Sequence, residues 1–166
     1  MNLTIRQADT NDIPNINALA NVVFPETYKD ILSPEQLDYM MDWMYSPSNL
    51  KKQMEEGHVY FIAAYDGEEC GYVSVSPEGK DLFHLQKIYV LSSFQGKHIG
   101  KMLFDHIIKY LKSIHPKPFT LELNVNRNNK AFSFYKKMGM EIARQGDFPI
   151  GNGFYMNDYI MSLKVE

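Results

Sequence analysis

The chain has 166 residues, enough for one domain with a real core, and its 45% hydrophobic and 22% charged residues describe a globular protein rather than a disordered one. A net charge of -3 argues against nucleic acid as a partner, because a phosphate backbone is met by a surplus of Lys and Arg. The single cysteine, Cys70, forms no internal disulfide, the start MNLTIRQADT lacks the apolar stretch of a secretory signal, and no apolar run reaches membrane-spanning length. The expected location is cytoplasmic, with no membrane partner.

In chain order, Leu3 to Arg6 reads as a short strand and about Asp12 to Val23 as a helix. Ser33-Pro34-Glu35-Gln36 places Ser at an N-cap, Pro at N1 and Gln at N3, a capping-box pattern, and Leu37, Met40, Met41 and Met44 supply that helix with an apolar face. Ser46-Pro47 starts a third helix, which Gly57 ends. HVYFIAAY, Asp66-Gly67 and CGYVSVS then form a β-hairpin pattern, and LFHLQKIYV follows as a third strand of this group. Apolar residues from Ile99 to Ile114 recur at helical spacing until Pro116 and Pro118. FTLELNV is a strand, Asn128 to Met138 a helix capped by Gly139, and strands at about Glu141 to Arg144 and Tyr155 to Lys164 close the chain. No linker or repeat interrupts this order, so residues 1–166 read as a single α/β domain.

The chemistry concentrates after the strand that ends at Val90. Gln95 to Gly100 lie where a loop enters a long helix, and the free N–H groups of a helix N-terminus carry about half a positive charge that favours phosphate. Gly96 and Gly100 permit close approach to the backbone, and Lys97 and Lys101 add positive charge. The sequence has neither the G-K-[ST] ending of a P-loop nor a G-x-G-x-x-G run. One strand later, Asn128 and Asn129 open a helix that carries Tyr135.

These two segments resemble the acetyl-CoA-binding core of the GNAT superfamily of N-acetyltransferases. Gln95-Gly96-Lys97-His98-Ile99-Gly100 is similar to its Q/R-x-x-G-x-G/A pyrophosphate loop, with His98 standing where the first glycine is expected. Asn128, Ala131 and Tyr135 match its N-x-x-A-x-x-x-Y helix, followed by Lys137-Met138-Gly139-Met140. The likeness covers roughly residues 58 to 164. It implies a mixed, mostly antiparallel sheet of about seven strands with helices on both faces, and central parallel strands that splay apart. It also implies acetyl-CoA as co-substrate. The backbone of Ile88 and Val90 would hold the pantetheine arm, the N–H groups of Gln95, Gly96, Lys97, His98, Ile99, Gly100 and Lys101 the pyrophosphate, and Asn128 or Asn129 the arm. Tyr135 would protonate the leaving thiolate. At the N-terminus of a helix a side chain is tolerated, so His98 is expected to alter loop contacts without abolishing binding.

The carboxylate that polyamine-acetylating relatives carry before the loop is replaced here by Gln86. The candidates for a base are Glu122, His84, Glu26 or a water chain, Glu122 being taken as the catalytic choice. The segments around FPETYKDILSPEQ and FPIGNGFYMNDYIMSL resemble bacterial branches that include polyamine N-acetyltransferases, which makes a polyamine the first acceptor to expect, with Glu26, Tyr28 and Gln86 at its site. Seven acidic residues between Pro25 and Glu56 are either the solvated faces of two amphipathic helices or an entrance that steers a polycation, and Tyr28, Tyr39, Trp43 and Tyr45 are either core or a wall for its alkyl chain. A non-catalytic acyl-CoA sensor is the rival class, and a protein or peptide amine the rival acceptor. The five histidines lack metal-ligand spacing, so no metal is expected. The apolar C-terminal strand could pair with a second subunit, making a homodimer the possible assembly.

Overall fold

The computed structural model describes residues 2–166. Its elements are β1 (Leu3–Gln7), α1 (Ile13–Tyr28), α2 (Pro34–Tyr45), α3 (Pro47–Glu55), β2 (Val59–Tyr65), β3 (Glu68–Gly79), β4 (Leu82–Val90), α4 (Ile99–Ile114), β5 (Phe119–Asn126), α5 (Ala131–Lys137), β6 (Glu141–Gly151) and β7 (Phe154–Val165). The seven strands form one sheet in the order β1-β2-β3-β4-β5-β7-β6. Every neighbouring pair is antiparallel except β4 with β5, which run parallel.

Alternation along β2 shows how both faces are covered. Phe61 and Ala63 join the core under α4, whereas Tyr60 and Ile62 join a second core under α1, α2 and α3. α4 has a dry stripe of Ile99, Leu103, Phe104, Ile107 and Leu111. Burying each such side chain contributes about 1.5–3 kcal/mol, which outweighs the propensity of any single residue. At the β2–β3 turn, Asp66 and Gly67 both take positive φ, the backbone a tight hairpin requires.

The feature that shapes the site is a break in register on β4. Ser74 pairs with Lys87 but Val75 pairs with Leu85, so Gln86 is an extra residue in the ladder. β4 and β5 pair only at Leu82–Thr120, Phe83–Leu121 and His84–Glu122. Beyond His84 the two parallel strands diverge, and the β5-facing edge of β4 from Leu85 to Val90 loses its strand partner.

Several boundaries differ from the sequence reading. α1 continues through Pro25 to Tyr28, because Phe24 and Tyr28 complete the apolar face that the helix buries against the sheet. The Ser33 hydroxyl caps α2, but the Gln36 side chain donates to Tyr155 O at 2.7 Å rather than closing a capping box. α5 begins at Ala131, three residues later than expected, because Asn126 and Asn129 side chains accept from the N–H groups of Asn128 and Ala131 and hold turns there. β6 runs on to Gly151, closed by a turn in which Gly151, Asn152 and Gly153 all have positive φ. β7 lies between β5 and β6, so the C-terminal strand has no free edge with which to pair a second subunit; the free edge on this side is β6.

Lys87 carries the fold's most perturbed cation. The residue is 5% exposed, and its ammonium donates to Met44 O at 3.0 Å, Gln53 Oε1 at 2.9 Å and the Tyr60 hydroxyl, and lies 4.3 Å from the Tyr45 ring centroid. Burial pushes its pKa down to about 7. Between about 7 and the unfolded value of 10.5 the folded chain binds fewer protons than the unfolded one, so stability is gained as pH rises through that window and lost as it falls. The free energy of unfolding should therefore increase by about 2 kcal/mol from pH 7 to pH 9, and Lys87→Met should flatten the rise. Urea unfolding at three pH values checks this; equal slopes in both proteins would refute it.

Candidate functional site

The divergence of β4 from β5 opens a cavity of about 970 Å³ that runs from the gap between the strands to the N-terminus of α4. One wall is β4, including Gln86, Ile88 and Val90; the opposite wall is β5 at Leu123 to Val125. α1 contributes Glu26 and Tyr28, and the α5 region contributes Asn128, Asn129 and Tyr135. The α4 loop closes one end with Gln95, Gly96, His98, Ile99, Gly100 and Lys101.

That loop is built to present N–H groups. Gly96 has φ +83° and His98 φ +61°, two left-handed residues that turn the chain into α4. Among the described residues, none of the N–H groups from Gly96 to Lys101 donates to a backbone carbonyl, and no side chain caps the helix. Six donors in succession at the positive end of a 16-residue helix suit a pyrophosphate. His98 does more than alter loop contacts. Its backbone sits in the left-handed region, where a side chain strains the chain by about 1–2 kcal/mol, so the glycine of the motif answers a conformational need and not only a need for space. Gly96 needs its glycine for the same reason, since an added Cβ there would meet nothing within 4 Å.

Two of the expected residues stand apart. Lys97 does not line the cavity; its ammonium lies 5.2 Å from the Tyr65 ring centroid. Lys101 lines the wall, although its ammonium is paired with Asp105 at 2.8 Å. Glu122 is also outside the lining. It is 8% exposed, and both its oxygens accept from Arg144 at 3.1 Å, which holds its carboxyl below the usual range. A base needs a free lone pair beside the substrate, and the structure does not give Glu122 one there. His84, the other candidate from this end of the sheet, is also absent from the lining. Glu78, His84 and Glu122 bring ligand-type atoms within 4.8 Å of one another, a juxtaposition that their sequence spacing does not reveal. His84 Nδ1 lies 2.7 Å from Glu78 Oε2 but out of line for a hydrogen bond, and burial lowers its pKa.

Of the seven acidic residues expected to steer a cation, Glu26 and Asp30 line the cavity, while Glu35, Asp38 and Asp42 are exposed on α2. The expected aromatic wall reduces to Tyr28. Tyr45 is fully buried in the core, Tyr39 donates to Ile150 O at 2.7 Å, and Trp43 is surface-exposed. Glu26 Oε2 accepts from Ser92 Oγ at 3.0 Å, and Gln86 Nε2 donates to Ser76 Oγ at 3.0 Å.

Tyr135 projects from α5 and is 7% exposed. Burial raises its pKa well above 10, so its proton stays in place at neutral pH. Close by, the Tyr28 hydroxyl meets the Tyr89 hydroxyl at 3.1 Å and accepts from Asn129 Nδ2 at 3.2 Å. Asn129 therefore uses its oxygen to hold the first turn of α5 and its nitrogen to reach α1, leaving Asn128 with the exposed side chain.

Sequence reasoning missed Asp158 on β7. It is 2% exposed, burial raises its pKa, and Asn124 Nδ2 donates to it at 3.2 Å. The signal was present in chain order, an Asp between Asn157 and the apolar run from Tyr159, but nothing there says that the position faces inward.

The residues that line the large cavity, Glu26 to Met138, fall within a known sequence pattern, which leaves Asp158 outside it. A sequence model of the acetyltransferase (GNAT) family matches residues 16–140. An uncharacterized N-acetyltransferase encoded in the pepI 3′ region of Lactobacillus delbrueckii subsp. lactis is 25% identical over 160 residues, covering 89% of this chain and 90% of that protein. A probable N-acetyltransferase of Mycobacterium tuberculosis is 26% identical over 148 residues, covering 85% and 81%. Among solved structures, the PaiA N-acetyltransferase of Thermoplasma acidophilum in complex with coenzyme A superposes with a TM-score of 0.82 at 24% identity, covering 99% of this chain and 100% of that one. The ribosomal-protein-S18-alanine N-acetyltransferase of Escherichia coli gives 0.72 at 21% identity, covering 99% and 94%.

Proposed function

The chain belongs to the acetyltransferase (GNAT) family and is an acetyl-CoA-dependent N-acetyltransferase; from that premise we propose that its acceptor is a primary amine of a small molecule, a polyamine first. The observation that carries this reading is the open side of β4, which leads in one continuous cavity from Tyr135 to the unpaired N–H groups of the α4 loop. Acetyl-CoA supplies the activated thioester, and the chain supplies position and protons.

In this reading the free edge of Ile88 and Val90 pairs with the amides of the pantetheine arm as an added strand would, and polarises the thioester carbonyl. The N–H groups from Gly96 to Lys101 bind the pyrophosphate, Lys97 through its backbone alone; the Gln95 N–H, also expected there, already donates to Ser92 O at 3.2 Å. Asn128 touches the arm, while Asn129 positions α5 and Tyr28. The neutral amine nitrogen attacks the carbonyl carbon in a ternary complex; the C–N bond forms, the C–S bond breaks, and the Tyr135 hydroxyl gives its proton to the departing sulfur. The amine loses its own proton to solvent at the mouth, where Glu26 and Asp30 stand. Glu122 has no part in this scheme, since Arg144 occupies it. No span of the fold is a candidate membrane helix among the described residues, and the only components required are acetyl-CoA and the acceptor.

The test is release of free thiol from acetyl-CoA against a panel of polyamines, amino acids, aminoglycosides and a peptide amine. Turnover should be fastest with a polyamine. Turnover confined to the peptide would transfer the assignment to a protein acceptor.

A further inference from the structure

Beside the large cavity lies a small chamber of about 30 Å³, and at its wall is the carboxylate of Asp158. The two spaces share Tyr28 and Asn124, so the chamber is a side pocket of the reaction cavity. α2 closes it with Gln36, and Asn126 and Met156 complete its polar and apolar sides.

Asp158 is a buried carboxylate with no cation in salt-bridge distance, Arg127 acting on it only from farther off. It is 2% exposed, and among the described residues its side chain accepts one hydrogen bond, from Asn124 at 3.2 Å. No Lys, Arg or His of the described residues reaches it within 4 Å. The nearest guanidinium, that of Arg127, is spent elsewhere: it donates to the main-chain oxygens of Gly146 and Asp158 and to Asp147 Oδ1 at 2.6 Å. An ionised carboxylate offers about four acceptor positions, and buried charges are normally paired. Three of those positions are open, and the space beside them is the size of one small polar group, since roughly 10–15 Å³ of such volume already admits a water molecule.

We propose that this chamber is a subsite for a second, non-reacting ammonium group of the acceptor, held by the Asp158 carboxylate with Asn124 and the Tyr28 hydroxyl beside it. The inference rests on the N-acetyltransferase reading and narrows it to acceptors with two cationic nitrogens. The chamber is too small for a thioester, so the nitrogen it holds is not the one acetylated. The reacting nitrogen of the same molecule lies across the shared wall, in the cavity with Tyr135. A diamine would set a charged nitrogen at each place, whereas a monoamine of the same carbon chain would set an uncharged end against Asp158.

The experiment compares 1,4-diaminobutane with butylamine on wild type and on Asp158→Asn, which keeps the shape and the Asn124 contact. In wild type the diamine should show at least a tenfold lower KM than butylamine, and calorimetric titration into the coenzyme A complex should show the same preference. In Asp158→Asn the ratio of the two KM values, and of the two dissociation constants, should fall at least tenfold. The variant's thermal midpoint at pH 7 should not drop, because the substitution removes an unpaired buried charge. A wild type indifferent to the second amine, an unchanged ratio in the variant, or a common loss for both amines with a lowered midpoint would each overturn the subsite. Thiol release with butylamine by wild type reports the acetyltransferase reading separately, and the calorimetry reads the subsite even where no amine turns over.

Discussion

Replacing Tyr135 by phenylalanine should lower kcat by about 10²-fold, the low end of what a positioned general acid supplies, and leave the affinity for acetyl-CoA within about twofold. The substitution removes one oxygen and keeps the ring. α5 holds that ring against Phe134 and against the cavity wall, so packing survives the change. What is lost is a proton donor that burial keeps protonated at neutral pH. In the proposed mechanism the donation occurs as the C–S bond breaks, so the loss should fall on kcat and on kcat/KM equally. Steady-state kinetics beside equilibrium binding of acetyl-CoA separates the cases. A fall in binding that accounts for the whole loss would make Tyr135 a wall and not an acid.

The second large effect concerns a residue remote from the motifs. Gly71→Ala should destabilise the protein by about 1–3 kcal/mol and weaken acetyl-CoA binding at least tenfold. Gly71 pairs with Val90 across β3 and β4, and an added Cβ would lie 2.6 Å from Tyr89 O and 3.3 Å from Val90 Cα. These are backbone atoms, so no side-chain rotation relieves the clash. β4 would have to move away from β3 at the very residue whose other edge borders the cavity. Chemical denaturation and binding of acetyl-CoA, measured on the same variant, test both halves; normal binding in a merely less stable protein would show that β4 absorbs the shift elsewhere.

The parts of the molecule legible in the sequence were those fixed by local rules. β4 runs from Leu82 to Val90 as its apolar run indicated, and α4 follows its helical stripe until the prolines. The spacing of Gln95, Gly96 and Gly100 located the helix N-terminus, and the resemblance gave the sheet and its parallel pair. Long-range pairing was less accessible. Nothing local marks Gln86 as a bulge, because a bulge is a mismatch between two strands and neither strand shows it alone. Strand alternation places Glu122 on the face opposite Leu121 and Leu123, yet only the fold shows that Arg144, two strands over on β6, takes both its oxygens. Asp158 was overlooked for the converse reason, since a lone Asp on a closing strand reads as solvent-facing until α1 and α2 are laid over it. The first helix was expected to end near Val23 and runs on to Tyr28, because burial of Phe24 and Tyr28 outweighs the hydrogen bond that Pro25 removes.

The three residue pairs that join β4 to β5 also divide the molecule in a folding sense. One side is a four-stranded antiparallel unit, β1 to β4, under α1 to α3; the other is the three-stranded unit of β5, β7 and β6 with α5. Between them run a short parallel seam, the dry face of α4 and a few contacts of α1 and α2, such as Gln36 to Tyr155 O, Tyr39 to Ile150 O and Tyr28 to Asn129. Such a seam is the weakest line of cooperativity in the sheet, so the two units can open separately at lower cost than the whole chain unfolds. Any ligand that lies along the gap and touches both strands then acts as a missing rung, and its binding energy becomes the coupling that makes the two units melt as one.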